Sequence, residues 1–476
     1  VTQERSGNTD REQGRSSGRE AIVIGGSIAG LLAARVLANY FDQVTIVERD
    51  RFPEKPVPRP GVPQSHQIHV LLSQGMGTIE QLFPGLQDQL VVKGASTIDW
   101  TADYRLLLPG GWAPRFPSQI TSCSCSRDLL EATIRQRLKS YSNVEFKEAN
   151  LAIGLLSNTS NTIVTGVLIK DANGTEVELS AQLVIDASGR NSKASKWLQS
   201  LGYAQPTETV INSFLGYSSR CYQFLSGEPF DYKVLYIMPA ALNSPSGGVL
   251  YQVEGNYWMV TLIGVGRNYP PTDEAGFLEF AQSLRSPEIY EAIKDAPPIS
   301  PIYGYQRTEN RLRHYEKMSR LPENFLVVGD AVCAFNPVYG QGMTAAANGA
   351  LTLDQCLKRY QHRSHGDLTG LGKHFQKQIA QVNTSPWLIA TGDDFRWPTT
   401  QGGRPNLMNR LMHWYLDQVM MAASQSAKVY QVFVKVFHLL QPPAALFQPG
   451  VLGRVLLQVI RLQISCSKSG TPEQGT

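Results

Sequence analysis

Glu20-Ala21-Ile22-Val23-Ile24-Gly25-Gly26-Ser27-Ile28-Ala29-Gly30 runs, after one helix-length segment, into Gln43-Val44-Thr45-Ile46-Val47-Glu48. Glu20 to Gly25 reads as a short buried strand, Gly30 to Tyr40 as a helix rich in Leu and Ala, and Gln43 to Glu48 as a second, β-branched strand. That is a βαβ opening with a Gly-rich turn between strand and helix. Gly25, Ser27 and Gly30 stand where only glycine or a very small residue lets the backbone pass close to a pyrophosphate, whose charge then sits on free N–H groups at the helix N-terminus. The strict motif has glycine at the position of Ser27, so this is a variant. Glu48 lies at the right distance to accept hydrogen bonds from an adenosine ribose hydroxyl, and Arg49 adjoins it. The turn therefore points to a dinucleotide and leaves FAD and NAD undistinguished.

Working outward, the chain has 476 residues, 42% of them hydrophobic, which is enough for two or three packed units. Its net charge of +4 comes from 44 basic and 40 acidic residues that are well interspersed, so nothing argues for nucleic acid. Six cysteines form neither a disulfide framework nor a zinc pattern, and no metal site is expected. Residues 1–18 are polar and Gly/Ser-rich, without the apolar core of a secretory signal, and are expected to be a disordered tail. No run approaches the ~18 apolar residues of a membrane span. A cytoplasmic protein is expected.

Arg51 to Pro63 holds five prolines, which forbids regular structure, and helical character returns from Val70 to Leu82. Ser126 to Tyr141 reads as an amphipathic helix, and Val144 to Ile185 as a meander of strands with a turn at Asn173-Gly174. Between Val210 and Gly266 longer alternating strands heavy in aromatics predict a second, antiparallel sheet. Phe325 to Val328 is again a short buried strand, followed by a Gly-containing loop and an Ala-rich helix from about Gly342. Beyond Asp367 the chain is helical: Leu411, Tyr415, Val419 and Ala422, then Val429 to Leu440, fall at helical spacing, with Lys428, Lys435 and His438 on the polar side.

Two more segments follow buried strands: Val184-Ile185-Asp186-Ala187-Ser188-Gly189-Arg190, and Val328-Gly329-Asp330-Ala331 with Asn336-Pro337-Val338-Tyr339-Gly340-Gln341-Gly342-Met343. An acidic side chain such as Asp330 accepts hydrogen bonds from sugar-alcohol hydroxyls, while a helix starting near Gly342 aims free N–H groups at a flavin's pyrimidine edge. With these three elements in order, the sequence resembles the flavoprotein monooxygenases of the aromatic-hydroxylase and squalene-epoxidase type over roughly Glu20 to Leu357. The stretch Arg59-Pro60-Gly61-Val62-Pro63-Gln64, with His69 after it, is similar to a subgroup that includes bacterial polyene (polyether) epoxidases.

The resemblance implies an α/β fold with an α+β second domain: a discontinuous Rossmann-like FAD-binding domain (19–75, 120–200, 301–360), a mixed-sheet substrate domain (76–119, 201–300) and a helical C-terminal region (361–476). It implies FAD held by Gly25, Ser27, Gly30, Glu48, Arg49, Arg127, Asp186, Asp330, Pro337, Gly340, Gly342 and Met343. Pro337 would lie against the flavin and Arg127 would approach the phosphates or ribityl chain. Such enzymes take NAD(P)H as co-substrate and O₂, and form a flavin C4a-hydroperoxide, so no catalytic side chain is assigned. With one dinucleotide fingerprint, NAD(P)H would bind transiently in a shared cleft. An apolar substrate is expected, and the missing base for a phenol favours an alkene, hence epoxidation or hydroxylation. Leu452, Val455, Leu456 and Val459 opposite Arg454, Gln458 and Arg461 would make a basic amphipathic helix able to touch a membrane, with packing against the preceding helices as the first reading. Alternatives are a reductase or a halogenase of the same superfamily, the latter disfavoured because its Trp-x-Trp-x-Ile-Pro signature is absent, and a non-enzymatic flavin-binding sensor or scaffold.

Overall fold

The structure is a computed structural model that describes residues 18–468 apart from 225–229, 242, 365–366 and 406, with backbone alone for 362–364 and 461–468. All but one residue of the expected N-terminal tail lies outside the described residues. A five-stranded parallel sheet runs Phe325–Val327, Leu183–Asp186, Glu20–Ile24, Gln43–Glu48, Val144–Glu148. The Glu20–Ile24 strand is central and, after Glu20, wholly buried. A strand covered on both faces needs the continuous apolar run seen in the sequence rather than alternation. The helix Ile28–Leu37 and the long helix Gly342–Ser364 cover one face, and the antiparallel meander Leu151–Ser157, Val164–Lys170, Glu176–Ser180 covers the other. The two end members of the expected strand run, Val144–Glu148 and Leu183–Asp186, are drawn off the meander into the parallel sheet.

The second sheet has seven strands in the order Tyr303–Tyr305, Gly216–Gln223, Tyr257–Gly264, Ser246–Gln252, Val234–Ile237, Tyr104–Leu108, Gly111–Trp112. It is antiparallel except where Val234–Ile237 runs parallel to Tyr104–Leu108. Residues 76–119, expected in the substrate domain, divide between the two layers. Met76, Ile79, Leu82, Leu86 and Leu90 belong to the first core, whereas Ile98, Trp100 and Tyr104 belong to the second. The physical reason is Gly75 in the Ser73–Leu82 helix, where a Cβ would come within 2.4 Å of Thr344 Oγ1, so this helix lies close against the Gly342–Ser364 helix.

The C-terminal helices Leu407–Ala423, Ala427–Phe437 and Pro449–Lys468 pack on one face of the second sheet, with Val419, Val429, Tyr430, Val434 and Val455 against Trp100, Tyr104 and Tyr251. Their exposed faces differ from the pattern expected. Leu411 is 54% exposed, and Leu452 and Leu456 face solvent while Gln458 is buried; the side chain of Arg461 lies outside the described residues. His438, placed on the polar side by periodicity, is buried: the Ser73 N–H donates to its Nδ1 at 3.1 Å and its ring packs on Trp100 at 4.7 Å. Burial pushes its pKa down to about 3, so it is a neutral core histidine. Among the described residues no helix is long and apolar enough to cross a membrane.

Candidate active site

The Gly-rich turn is built by its neighbours. Gly25 has φ +102°, a left-handed value that favours glycine, and its N–H donates to Val47 O at 2.8 Å. A Cβ on Gly30 would lie 1.8 Å from Gly25 O, so the helix can pack on the turn only without one. The Ile28–Leu37 helix has no side-chain cap and no acidic residue in its first turn, which leaves its first N–H groups for an outside acceptor.

One cleft collects most of the expected site residues: Gly25, Ser27, Glu48, Arg49, Arg127, Asp330, Pro337, Gly340, Gly342 and Met343 all line it. Gly30 and Asp186 do not. Gly30 acts behind the wall through the helix–turn contact just described. Asp186 is fully buried, accepting the Ser188 N–H at 2.9 Å and the Ser192 hydroxyl at 2.5 Å, and so shapes the Ser188–Arg190 loop that does line the cleft.

The Glu48 carboxylate already holds three donors: the Gly26 N–H at 2.8 Å, the Asp50 N–H at 3.0 Å and Arg59 Nη1 at 3.2 Å. A carboxylate has about four acceptor sites, so room remains for one further hydroxyl. Below it runs an ion network that sequence reasoning missed. Glu131 Oε1 accepts from Arg59 Nε at 3.0 Å; its Oε2 lies 3.0 Å from Arg127 Nη1 and accepts the Ser27 hydroxyl at 3.0 Å. Arg127 Nη2 donates to Ser27 Oγ at 2.5 Å, and Arg59 Nη1 reaches Asp50 Oδ2 at 2.6 Å. Burial opposes ionisation of Glu131, but Arg127 and Arg59 outweigh it and hold the carboxyl below the usual range. The available signal was the Arg59-Pro60-Gly61 stretch together with Glu131 one turn after Arg127, both visible but without any means of pairing them.

The cleft suits an anionic dinucleotide. Arg59 Nη2 is buried and, among the described residues, has no partner, although its residue lines the cleft. Among the described residues, Arg49, Arg59, Arg127, Arg190, Lys193 and Arg307 line it against the carboxylates of Glu48 and Asp330 alone. No described residue hydrogen-bonds the Asp330 carboxylate, which opens into the cleft, ready to accept from hydroxyls. Burial raises its pKa, with Arg190, Arg127 and Arg313 pulling the other way.

At its far end the cleft meets the second sheet. Tyr217 and Tyr305, paired across neighbouring strands, line it together with Gln67, Val70 and Pro337. Burial lifts both tyrosine pKa values, so the phenols stay protonated. His69 also lines the cleft; its Nδ1 donates to Gln67 O at 2.9 Å, and burial with the charge of Arg127 pushes its pKa down to about 3. His66 stacks on Tyr303 at 3.8 Å. Both histidines thus have structural contacts, and among the described residues no acidic or thiol cluster accompanies them as a metal site.

A parallel sheet with a glycine turn at its central strand and a cationic cleft above it defines a dinucleotide-binding protein. The family model described as FAD binding domain matches residues 19–362, and the chain belongs to that family: it is an FAD-dependent oxidoreductase of the monooxygenase superfamily. Protein Rv3254 of Mycobacterium tuberculosis is 29% identical over 458 residues, covering 93% of this chain and 94% of that protein. Squalene epoxidase 4 of Arabidopsis thaliana is 23% identical over 417 residues, covering 83% of this chain and 74% of that protein. Among solved structures, the flavin-dependent brominase Bmp2 matches with a TM-score of 0.65 at 13% identity, covering 94% of this chain and 99% of that one, a likeness of fold.

Proposed function

We propose that the protein is an NAD(P)H- and O₂-dependent FAD monooxygenase that oxygenates an apolar, alkene-containing substrate, in the manner of the polyene epoxidase-like subgroup. One observation carries the reading: where the cofactor cleft meets the second sheet, Tyr217 and Tyr305 stay protonated and His69, its pKa pushed down to about 3, is too weak a base to take a phenol's proton. A phenol substrate profits from a base that removes its proton, whereas an alkene needs none. Bound FAD supplies the redox and oxygen-transfer chemistry. The chain's own part is to hold FAD through Arg59, Arg127, Glu48 and Asp330, to press Pro337 and Gly340 toward the ring, and to keep water from the joint between the layers. A halogenase would require halide for turnover, and a reductase would consume no oxygen.

The test is the absorbance spectrum of purified protein, followed anaerobically with NADPH and then in air with polyenes and phenols. Bleaching of bound flavin, followed by oxygen uptake that matches an oxygenated polyene without added halide, is expected. Oxygen uptake matched only to phenol hydroxylation would overturn the alkene reading, and bleaching without oxygen uptake in product formation would leave a reductase.

Delivery of such a substrate is proposed to occur at an anionic membrane surface through the C-terminal helices. Trp414, Leu452, Leu456 and Leu457 are exposed, the last two at 60% and 57%. The 407–468 segment carries Arg410, Lys428, Lys435, Arg454, Arg461 and Lys468 against Asp417 alone, a charge that complements acidic lipid rather than a second copy of itself. The holoprotein is expected to sediment with phosphatidylserine-rich vesicles, less so in high salt or as Leu456→Ser. Equal recovery with neutral vesicles, or concentration-dependent dimers with no vesicle binding, would refute it.

A further inference from the structure

Asp394 is the last residue of the Leu371–Asp394 helix, beyond the part of the chain that the family model covers, and it is 1% exposed. Its carboxylate reaches back into the cofactor-binding layer and is surrounded by neutral donors. Oδ1 accepts the Ser213 hydroxyl at 3.0 Å and Asn336 Nδ2 at 2.9 Å, and shares the Tyr339 phenol, 3.0 Å away, with Asp393 Oδ2 at 2.9 Å. Oδ2 accepts Asn310 Nδ2 at 2.6 Å. The same asparagines continue the chain of bonds: Asn336 N–H donates to Asn310 Oδ1 at 2.7 Å, and Val338 N–H donates to Asn336 Oδ1 at 3.2 Å. One carboxylate thereby fixes the backbone and side chains on both flanks of Pro337, the cleft-lining residue in the turn that ends at Gly340.

We propose that Asp394 is a positioning residue: it shapes the Asn336–Gly340 turn into the surface that meets the flavin, coupling the C-terminal helices to the cofactor. This rests on the reading that Pro337 and Gly340 face the ring. The donor set requires an acceptor at both oxygens. Asparagine at this position would place an N–H₂ against the N–H donor of either Asn310 or Asn336, so the bond to the turn, or the one to the Asn310 side chain that holds the turn's Asn336 N–H, must break. Protonation does the same by turning one oxygen into a donor. Burial raises the Asp394 pKa, the Ser213 and Tyr339 hydroxyls pull it back and the neighbouring Asp393 charge raises it again, leaving it at about 7. The other titratable groups facing it are Tyr339 and Tyr217, both kept protonated by burial, while Arg396 pairs with Asp393 and Asp417.

The experiment compares Asp394→Asn, Tyr339→Phe and Pro337→Gly with the wild type as holoproteins in the oxidised state. FAD affinity is measured by titrating apoprotein, and the flavin absorbance and fluorescence by scanning pH. Asp394→Asn is expected to weaken FAD binding roughly tenfold, the size of one lost charge-assisted hydrogen bond, and to shift the flavin band. The wild-type spectrum should move toward that of the variant as pH falls through about 7, and the variant should show no such transition. Tyr339→Phe, which loses one neutral donor, should shift the band in the same direction; should Asp394→Asn fail to fold, this variant decides, and an unchanged spectrum and affinity in it overturn the role. A spectrum and affinity unchanged in Asp394→Asn while Pro337→Gly alters both would also overturn it. No change in Pro337→Gly would instead sink the reading that the turn faces the flavin.

Discussion

Replacing Glu131 by alanine is expected to cost the apoprotein about 3–5 kcal/mol, because it leaves two buried guanidinium groups without their shared partner. Arg59 and Arg127 each reach Glu131 at 3.0 Å, and all three side chains are only 5–6% exposed. Arg59 retains Asp50 and Glu48, but Arg127 has no other carboxylate within ion-pair distance among the described residues. The pH dependence has a definite sign. The folded-state carboxyl is depressed below its ordinary value of 4.5, so its contribution is present above that value and is lost as pH falls below it toward the folded-state pKa. Denaturant midpoints of wild type and Glu131→Ala should therefore differ most at neutral pH and converge in acid. Added FAD should recover part of the difference, since its phosphates would offer the freed arginines new anions. A variant with the wild-type midpoint at neutral pH would mean that the network is not stabilising.

That network shows where sequence reading stopped. The strand–turn–helix opening was legible because its signals are local: an apolar run, glycines at a tight turn, then helical periodicity, all within a few residues. Glu131 and Arg59 are 72 residues apart, and each looks ordinary in its own segment, one in an amphipathic helix and the other in a proline-rich excursion. Their meeting is a product of tertiary structure. The same applies to Tyr104–Leu108, which joins the second sheet by parallel pairing with a strand that begins at Val234. In the C-terminal region, periodicity correctly predicted helices but could not say what covers each face. It put His438 with the solvent side, although Ser73 and Trp100 bury it, and it put Leu411 with the core. Asp394 gave no local signal at all, because an acidic residue near a helix C-terminus acquires meaning only from the four donors gathered around it.

Gly30→Ala is expected to weaken FAD binding by about a hundredfold, the equivalent of ~2.7 kcal/mol, without removing any group that lines the cleft. The added Cβ would lie 1.8 Å from the Gly25 carbonyl oxygen and 2.9 Å from its carbon, and both atoms belong to backbone that cannot swing aside as a side chain can. Relief requires the Ile28–Leu37 helix to move away from the turn, and overpacking of this kind typically costs ~1–3 kcal/mol. The helix N–H groups would then leave the position from which they would meet a bound pyrophosphate, so lost stability and lost affinity would have one cause. Gly77→Ala is the matching control: it lies in the Ser73–Leu82 helix with nothing within 4 Å of its Cβ position, and should be neutral or slightly stabilising. Ser27→Gly separates contact from packing. It restores the strict turn motif and removes a hydroxyl bonded to Glu131 and Arg127, but adds no atom to the turn, so it should retain FAD far better than Gly30→Ala. If FAD titration of the apoproteins instead ranks Ser27→Gly below Gly30→Ala, the cofactor is held chiefly by the Ser27–Arg127 contact, and the close approach of helix to turn does not set the affinity.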